Sequence, residues 1–170
     1  MVSTKTLLEE ALEAWEVARQ GVISEVRIIP ARQFDFRPKQ EVRSVAELVA
    51  HVIETGSMWS NELVRRCPDF TRKTFPDFIK YYAGDVGQPR AKGDWVRLLR
   101  SSQRHGARLI KEAGEVQMLQ LVRRFDGEHS TRLTWMHHGI AHEEYHRAQI
   151  ALYARLLGLT PALTRRIEDY

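Results

Sequence analysis

The sequence predicts an all-α fold, a four-helix bundle with a long crossover between its second and third helices. Three observations carry this. Apolar residues recur at helical spacing in four long stretches, no segment alternates as a half-buried strand does, and cap or stop residues bracket the stretches. With 43% hydrophobic side chains in 170 residues, the chain is expected to form a single domain, 1–170, around one core.

The first helix is expected from about Ser3 to Arg27, since Leu8, Leu12, Trp15, Val22, Ile23 and Val26 fall on one stripe. Arg19 shares that stripe, which points to an ion pair or a snorkelling side chain, and Pro30 ends the helix. The aperiodic segment 31–43 reads as a packed loop. In Ser44-Val-Ala-Glu47, the hydroxyl and the carboxylate satisfy each other's orphan N–H groups at a helix start. A second helix follows to about Arg66, with Leu48, Thr55, Met58, Trp59 and His51 on its inward face. Glu54, beside His51, is placed either to orient the imidazole or to form an ion pair.

The connection from Cys67 to Lys92 is rich in Pro, Gly and aromatic residues, and is long enough that the helices it joins need not be antiparallel neighbours. Its aromatic residues, Phe70, Phe75, Phe78, Tyr81 and Tyr82, are expected to pin it to the core. Asp94 is expected to cap a third helix with the stripe Trp95, Leu98, Leu99, Ser102, Gly106, Leu109 and Ala113, and Gly114 to stop it. Asp126-Gly127 marks a turn. The last helix runs from Thr131 to Leu157 and closes at Gly158, with Pro161 beyond it and a polar tail on the surface.

On that last helix the face centred on His142 collects Trp135, His138, Gly139, Tyr145, His146, Gln149, Ile150, Tyr153 and Leu156. A lone inward histidine is more often a hydrogen-bonded core residue than a ligand, but two at i and i+4 can pinch one ion between neutral imidazoles. Both 138/142 and 142/146 have this spacing. One ion cannot take His138 and His146 together, because eight residues rise about 12 Å. Spacing alone leaves the pair open, and His51 adds a further candidate from the second helix.

Residues 142–146, His-Glu-Glu-Tyr-His, also match the H-E-x-x-H pattern of zinc peptidases, in which Glu143 would activate water. A zincin, however, lays this helix beneath a sheet, and the only downstream carboxylates, Glu168 and Asp169, lie in the tail. A metallopeptidase is therefore the lesser alternative.

Charge and composition exclude other classes. The net charge is +4 and the pI about 9.4, yet no run of five like charges occurs, which argues against a nucleic-acid surface. Cys67 is the only cysteine, so no internal disulfide forms and a cytoplasmic location is expected. Neither a signal segment nor an 18-residue apolar run is found, so no membrane association is expected. Leu133, Ile140, Ala148 and Ala151 on the outward side of the last helix suggest a partner surface.

Ser44, Glu47, Leu48 and His51 ahead of a final helix bearing His142-Glu-x-x-His146-Arg147-x-Gln149-Ile150 resemble the DinB/YfiT-like family of metal-dependent bacterial proteins. The likeness extends to the first helix, the Phe36-Arg37-Pro38 loop, the crossover and the Leu157-Gly158-Leu159 close. Tyr145 stands where a further histidine is frequent, and Ala148 where glycine is frequent. The resemblance implies an up-down-down-up bundle, a homodimer, and one divalent ion (Zn, Ni or Fe) held by His51, His142 and His146. It also implies a small-molecule substrate and a small-thiol S-transferase or related hydrolase, with a low-molecular-weight thiol as co-substrate. His138, Glu143 and Tyr145 are then the candidate catalytic groups. A stress-responsive metal-binding or interaction protein without turnover is the alternative.

Overall fold

The computed structural model describes residues 4–84, 86, 88 and 90–169. Four long helices, α1 (Leu7–Ile28), α2 (Val45–Leu63), α4 (Lys92–Met118) and α5 (Arg132–Leu156), form the bundle, and the short α3 (Phe75–Ala83) and α6 (Ala162–Glu168) lie at its margins. The expected start of the first helix at Ser3 lies outside the described residues. Capping boxes open α1 at Thr6/Glu9 and α2 at Ser44/Glu47. At the end of α5 the Leu159 amide donates to the Ala154 carbonyl and the Gly158 amide to Arg155, with Gly158 at φ 76°, a left-handed close that glycine adopts without a Cβ penalty.

Hydrogen bonds between helix ends fix the topology. Lys92, at the start of α4, donates to the carbonyls of Arg27 and Ile29 at the end of α1, so these two helices are antiparallel. Gln117, near the end of α4, donates to the Val64 carbonyl at the end of α2, so that pair is parallel. Arg132, opening α5, caps the same end of α2 through the carbonyls of Leu63 and Arg65. The order is up-down-down-up, with the sequence neighbours α1 and α2 at opposite corners.

Two apolar clusters fill the bundle. One gathers Val22, Ile23, Val49, Ile53, Leu99 and Ile150; the other gathers Trp15, Met58, Trp59, Ile110, Met136 and Ile140. A polar layer built on Arg19 and Glu143 separates them. The guanidinium donates through Nε to Glu143 Oε2 at 2.8 Å, through Nη2 to Oε1 at 2.5 Å, and through Nη1 to the Leu99 carbonyl at 2.6 Å. Trp15 Nε1 donates to the same carboxylate at 2.7 Å. Burying either charge alone would be costly, and the pairing with full hydrogen bonding is what permits it.

Several sequence expectations are corrected. The 67–92 connection contains α3, capped by Thr74, whose hydroxyl accepts from the Asp77 amide, with Pro76 in its first turn. The Asp126-Gly127 turn joins a small hairpin, β1 (Leu121–Arg123) with β2 (His129–Thr131), in which Leu121 faces Thr131. Three-residue strands are too short to show alternation. Asp94 sits inside the first turn of α4 and pairs with Arg97, while Ala91 occupies the cap. Gly114 does break the helix at φ 79°, but one further turn follows it.

The largest correction concerns the rotation of α5. Leu133, Met136, Gly139, Ile140, Glu143, His146, Ile150 and Ala154 are buried, a face centred near Glu143 and so turned by about 100°, one residue, from the face centred on His142. Leu133 and Ile140 therefore pack in the core and cannot belong to the expected partner surface.

Candidate metal centre

The rotation of α5 puts His142 and His146 at the boundary between core and solvent. From α2, His51 enters the same boundary one turn below Thr55, whose hydroxyl donates back to the His51 carbonyl at 2.8 Å. One ring nitrogen from each of His51, His142 and His146 lies within 4.8 Å of the others. The ring centroids of His51 are 5.1 Å from those of His142 and 4.8 Å from those of His146, and all contacts are edge-on or nearly so.

The hydrogen bonding suits a cation. His146 Nδ1 lies 2.7 Å from Gln149 Oε1, an atom that only accepts, so Nδ1 carries the proton and Nε2 is left with a lone pair. That Nε2 is 3.0 Å from Nε2 of His142. Two nitrogens so close are held together either by a shared proton or by a shared cation. Fixing a ligand histidine through its second nitrogen is the usual support of a metal site. Protonation is disfavoured here. Burial, the Arg43 cation and the neighbouring rings push His51 down to about 3; burial and the His146, His138 and Arg43 charges push His142 down to about 4; and His146 is lowered mainly by burial. All three imidazoles are thus neutral near pH 7, the state in which they bind metals.

Two hollows flank the histidines. A wide cleft of about 1030 Å³ is lined by His51, Glu54, Arg43, Ala50, Phe75 and Lys80 among others. A small slot of about 80 Å³ lies on the far side, between Thr55, Met58, Trp59, Phe125, Trp135, His138, Gly139 and His142, and Phe75 borders both. Burial raises the pKa of Glu54, which hydrogen bonds to no histidine among the described residues and faces the cleft.

The other expected site residues separate. His138 is exposed and stacks on Trp135 at 4.5 Å, outside the three-histidine cluster. Tyr145 is 62% exposed, its ring 5.2 Å from that of His146. Glu143 is 0% exposed and committed to Arg19 and Trp15, so it neither faces the cleft nor reaches water. That removes the residue on which an H-E-x-x-H peptidase would depend. Tyr153 is also withdrawn from the site, since its hydroxyl donates to the Arg43 carbonyl and holds the 31–43 loop.

Sequence reasoning gave no role to three contributors. Gln149 was visible on the helix face, but its partner depends on a rotamer. Arg43 sits on an aperiodic loop, and Phe125 on a hairpin too short to recognise.

Comparison with known proteins agrees with the fold. The model of the DinB family matches residues 1–168. A DinB-like protein of Bacillus subtilis superposes with a TM-score of 0.67 at 15% identity, over 89% of this chain and 93% of its own. YfiT, also from Bacillus subtilis and described as a probable metal-dependent hydrolase with an unusual four-helix bundle topology, superposes with a TM-score of 0.69 at 14% identity, over 94% of this chain and 93% of its own. At these identities the likeness speaks for the fold. A search of the curated proteins finds no match.

Proposed function

The chain belongs to the DinB family, and from that premise we propose that it is a metal-dependent enzyme whose single divalent ion is held by His51, His142 and His146, beside the cleft that His51 lines. The observation that carries this is the convergence of three neutral imidazoles from two helices within 4.8 Å, one of them oriented by Gln149. An ion held there would supply Lewis acidity, lowering the pKa of a water or thiol and polarising an electrophile. Three protein ligands leave room for an exchangeable fourth, which is the pattern of catalytic sites.

The side chains of the chain supply the rest. The cleft admits a small-molecule substrate, and Arg43 lends it positive charge. Phe75, its ring 6.2 Å from that of His51, and Trp135, which lines the slot with His142, supply apolar surface beside the histidines. His138, which lines the slot beside His142, and Tyr145, exposed with its ring 5.2 Å from that of His146, would carry protons between the site and solvent. The reaction class that fits is hydrolysis or transfer of a small thiol, with Zn, Ni or Fe as the ion, since imidazole suits each.

Elemental analysis of untagged protein beside its His51→Ala, His142→Ala and His146→Ala variants tests the site: about one ion per chain is expected for the parent and a large loss in each variant. An assay panel of ester, amide and thiol-transfer substrates tests the chemistry. Parent protein without stoichiometric metal would overturn the proposal, and a metal-loaded protein inert across the panel would overturn its catalytic part.

A further inference from the structure

The outward face of α4 carries a row of cations that neither the metal centre nor the core uses. Arg97, Arg100, Arg104, Arg108 and Lys111 follow one another at spacings of 3, 4, 4 and 3 residues. At 100° per residue all five fall within about 80° of the helix face, over about 21 Å of rise. Four are exposed and Arg100 is half-buried. Asp94 pairs with Arg97 and Glu112 lies 3.9 Å from Arg108, both along one flank of the row. Arg100, Arg104 and Lys111, toward the other flank, have no hydrogen-bond or ion-pair partner among the described residues. With six Lys or Arg against three Asp or Glu, α4 holds +3 of the chain's net charge of +4. Like charges three and four residues apart weaken a helix, so the row works against α4 itself. A criterion of five consecutive like charges passes over it, because the helix gathers on one face what the sequence keeps apart.

From this placement we infer that the row is a seat for the phosphate backbone of a nucleic acid, bound through charge and without regard to base sequence. Three features choose that partner. Four of the five cations are arginines, whose planar forks meet phosphate oxygens two at a time. The row is straight and long, and a duplex offers one charge per about 1.7 Å of its axis, so several phosphates come within its reach. A helix that binds an anionic bilayer also sinks apolar side chains into it. No large apolar side chain is exposed between Arg97 and Lys111. The metal ligands lie on α2 and α5, so the row and the metal centre stand or fall separately.

Fluorescence anisotropy of the full-length protein with a labelled mixed-sequence duplex of about two turns, roughly 20 base pairs, tests this across a salt series. Dissociation constants of about 1–100 μM are expected. Log affinity should fall against log salt with a slope of about −3, near 0.9 for each of three or four neutralised phosphates. Arg100→Gln, Arg104→Gln and Lys111→Gln together keep a good helix former at each solvent-facing position. That variant should bind at least about tenfold more weakly at low salt, with a slope of about −1. The same charge removed from exposed positions elsewhere, as Lys39→Gln with Arg165→Gln and Arg166→Gln, should leave affinity within about twofold. Absence of salt-dependent binding to the duplex, or equal losses in the two triple variants, would overturn the inference. So would binding to phosphatidylserine vesicles in place of the duplex, or salt-sensitive self-association in its place, each of which assigns the row to another partner.

Discussion

Replacing Glu143 gives the sharpest test of how the bundle holds its site. The Glu143→Ala variant leaves Arg19, 1% exposed, with its charge buried and only the Leu99 carbonyl and the Ser102 hydroxyl as partners, and it also orphans Trp15 Nε1. Removing one member of a buried ion pair costs about 3–5 kcal/mol, a large share of the roughly 5–15 kcal/mol that stabilises a domain. For a chain of this length that is a fall in Tm of about 6–20 °C. Replacing both partners, as in Arg19→Met with Glu143→Leu, removes the stranded charge and should recover most of the loss, giving a coupling of about 2–4 kcal/mol in a double-mutant cycle. Urea titrations of the four proteins measure it. Metal content and turnover of the double variant form the second arm: under the proposed metal site both should persist, because neither side chain faces the cleft. A coupling below about 0.5 kcal/mol, or a folded, metal-loaded double variant without turnover, would refute the structural role given to Glu143 and restore it as a catalytic group.

Other outcomes follow from the same contacts. Gln149→Leu should lower metal affinity about 10–100-fold by releasing His146 Nδ1, with little change in fold, as read by competition with a chelator; unchanged affinity would show that the amide does not orient the ring. Ser44→Ala removes the acceptor for the Glu47 amide and should cost about 1 kcal/mol in a denaturant titration, with no effect if the box is ornamental. His51 and His142 have pKa values lowered to about 3 and 4 from 6.5, so the unfolded chain binds more protons than the folded one below pH 6.5. Stability of the metal-free protein should accordingly be full above pH 6.5 and fall as pH drops toward 4. Subtracting the same curve for His51→Phe isolates one ring from the opposing effect of Glu54, whose raised pKa favours the folded state at low pH. Parallel curves for the two proteins would contradict the assignment.

Much of the bundle was legible without coordinates because its signals are local. The Ser44/Glu47 box, the close at Gly158 and the stripe of α1 each depend on residues within a turn or two of one another, so the four long helices and the crossover follow from the sequence. The hairpin and α3 were lost because three and nine residues carry too little period to stand out. His51, His142 and His146 were nameable as candidates, though the repeated i, i+4 spacing gave His138 equal standing until the family resemblance chose between them.

Only the packed structure decided which way α5 faces. A helix wheel ranks faces by apolar content and so turns a glutamate outward, whereas Arg19 on α1 makes burial of Glu143 favourable and draws the helix round by one residue. That turn moves Leu133 and Ile140 into the core, leaves His138 on the surface, and brings His142 and His146 to the edge where His51 meets them. Periodicity within one helix states that a face exists; the charge on a neighbouring helix, more than a hundred residues away in sequence, determines which face it is.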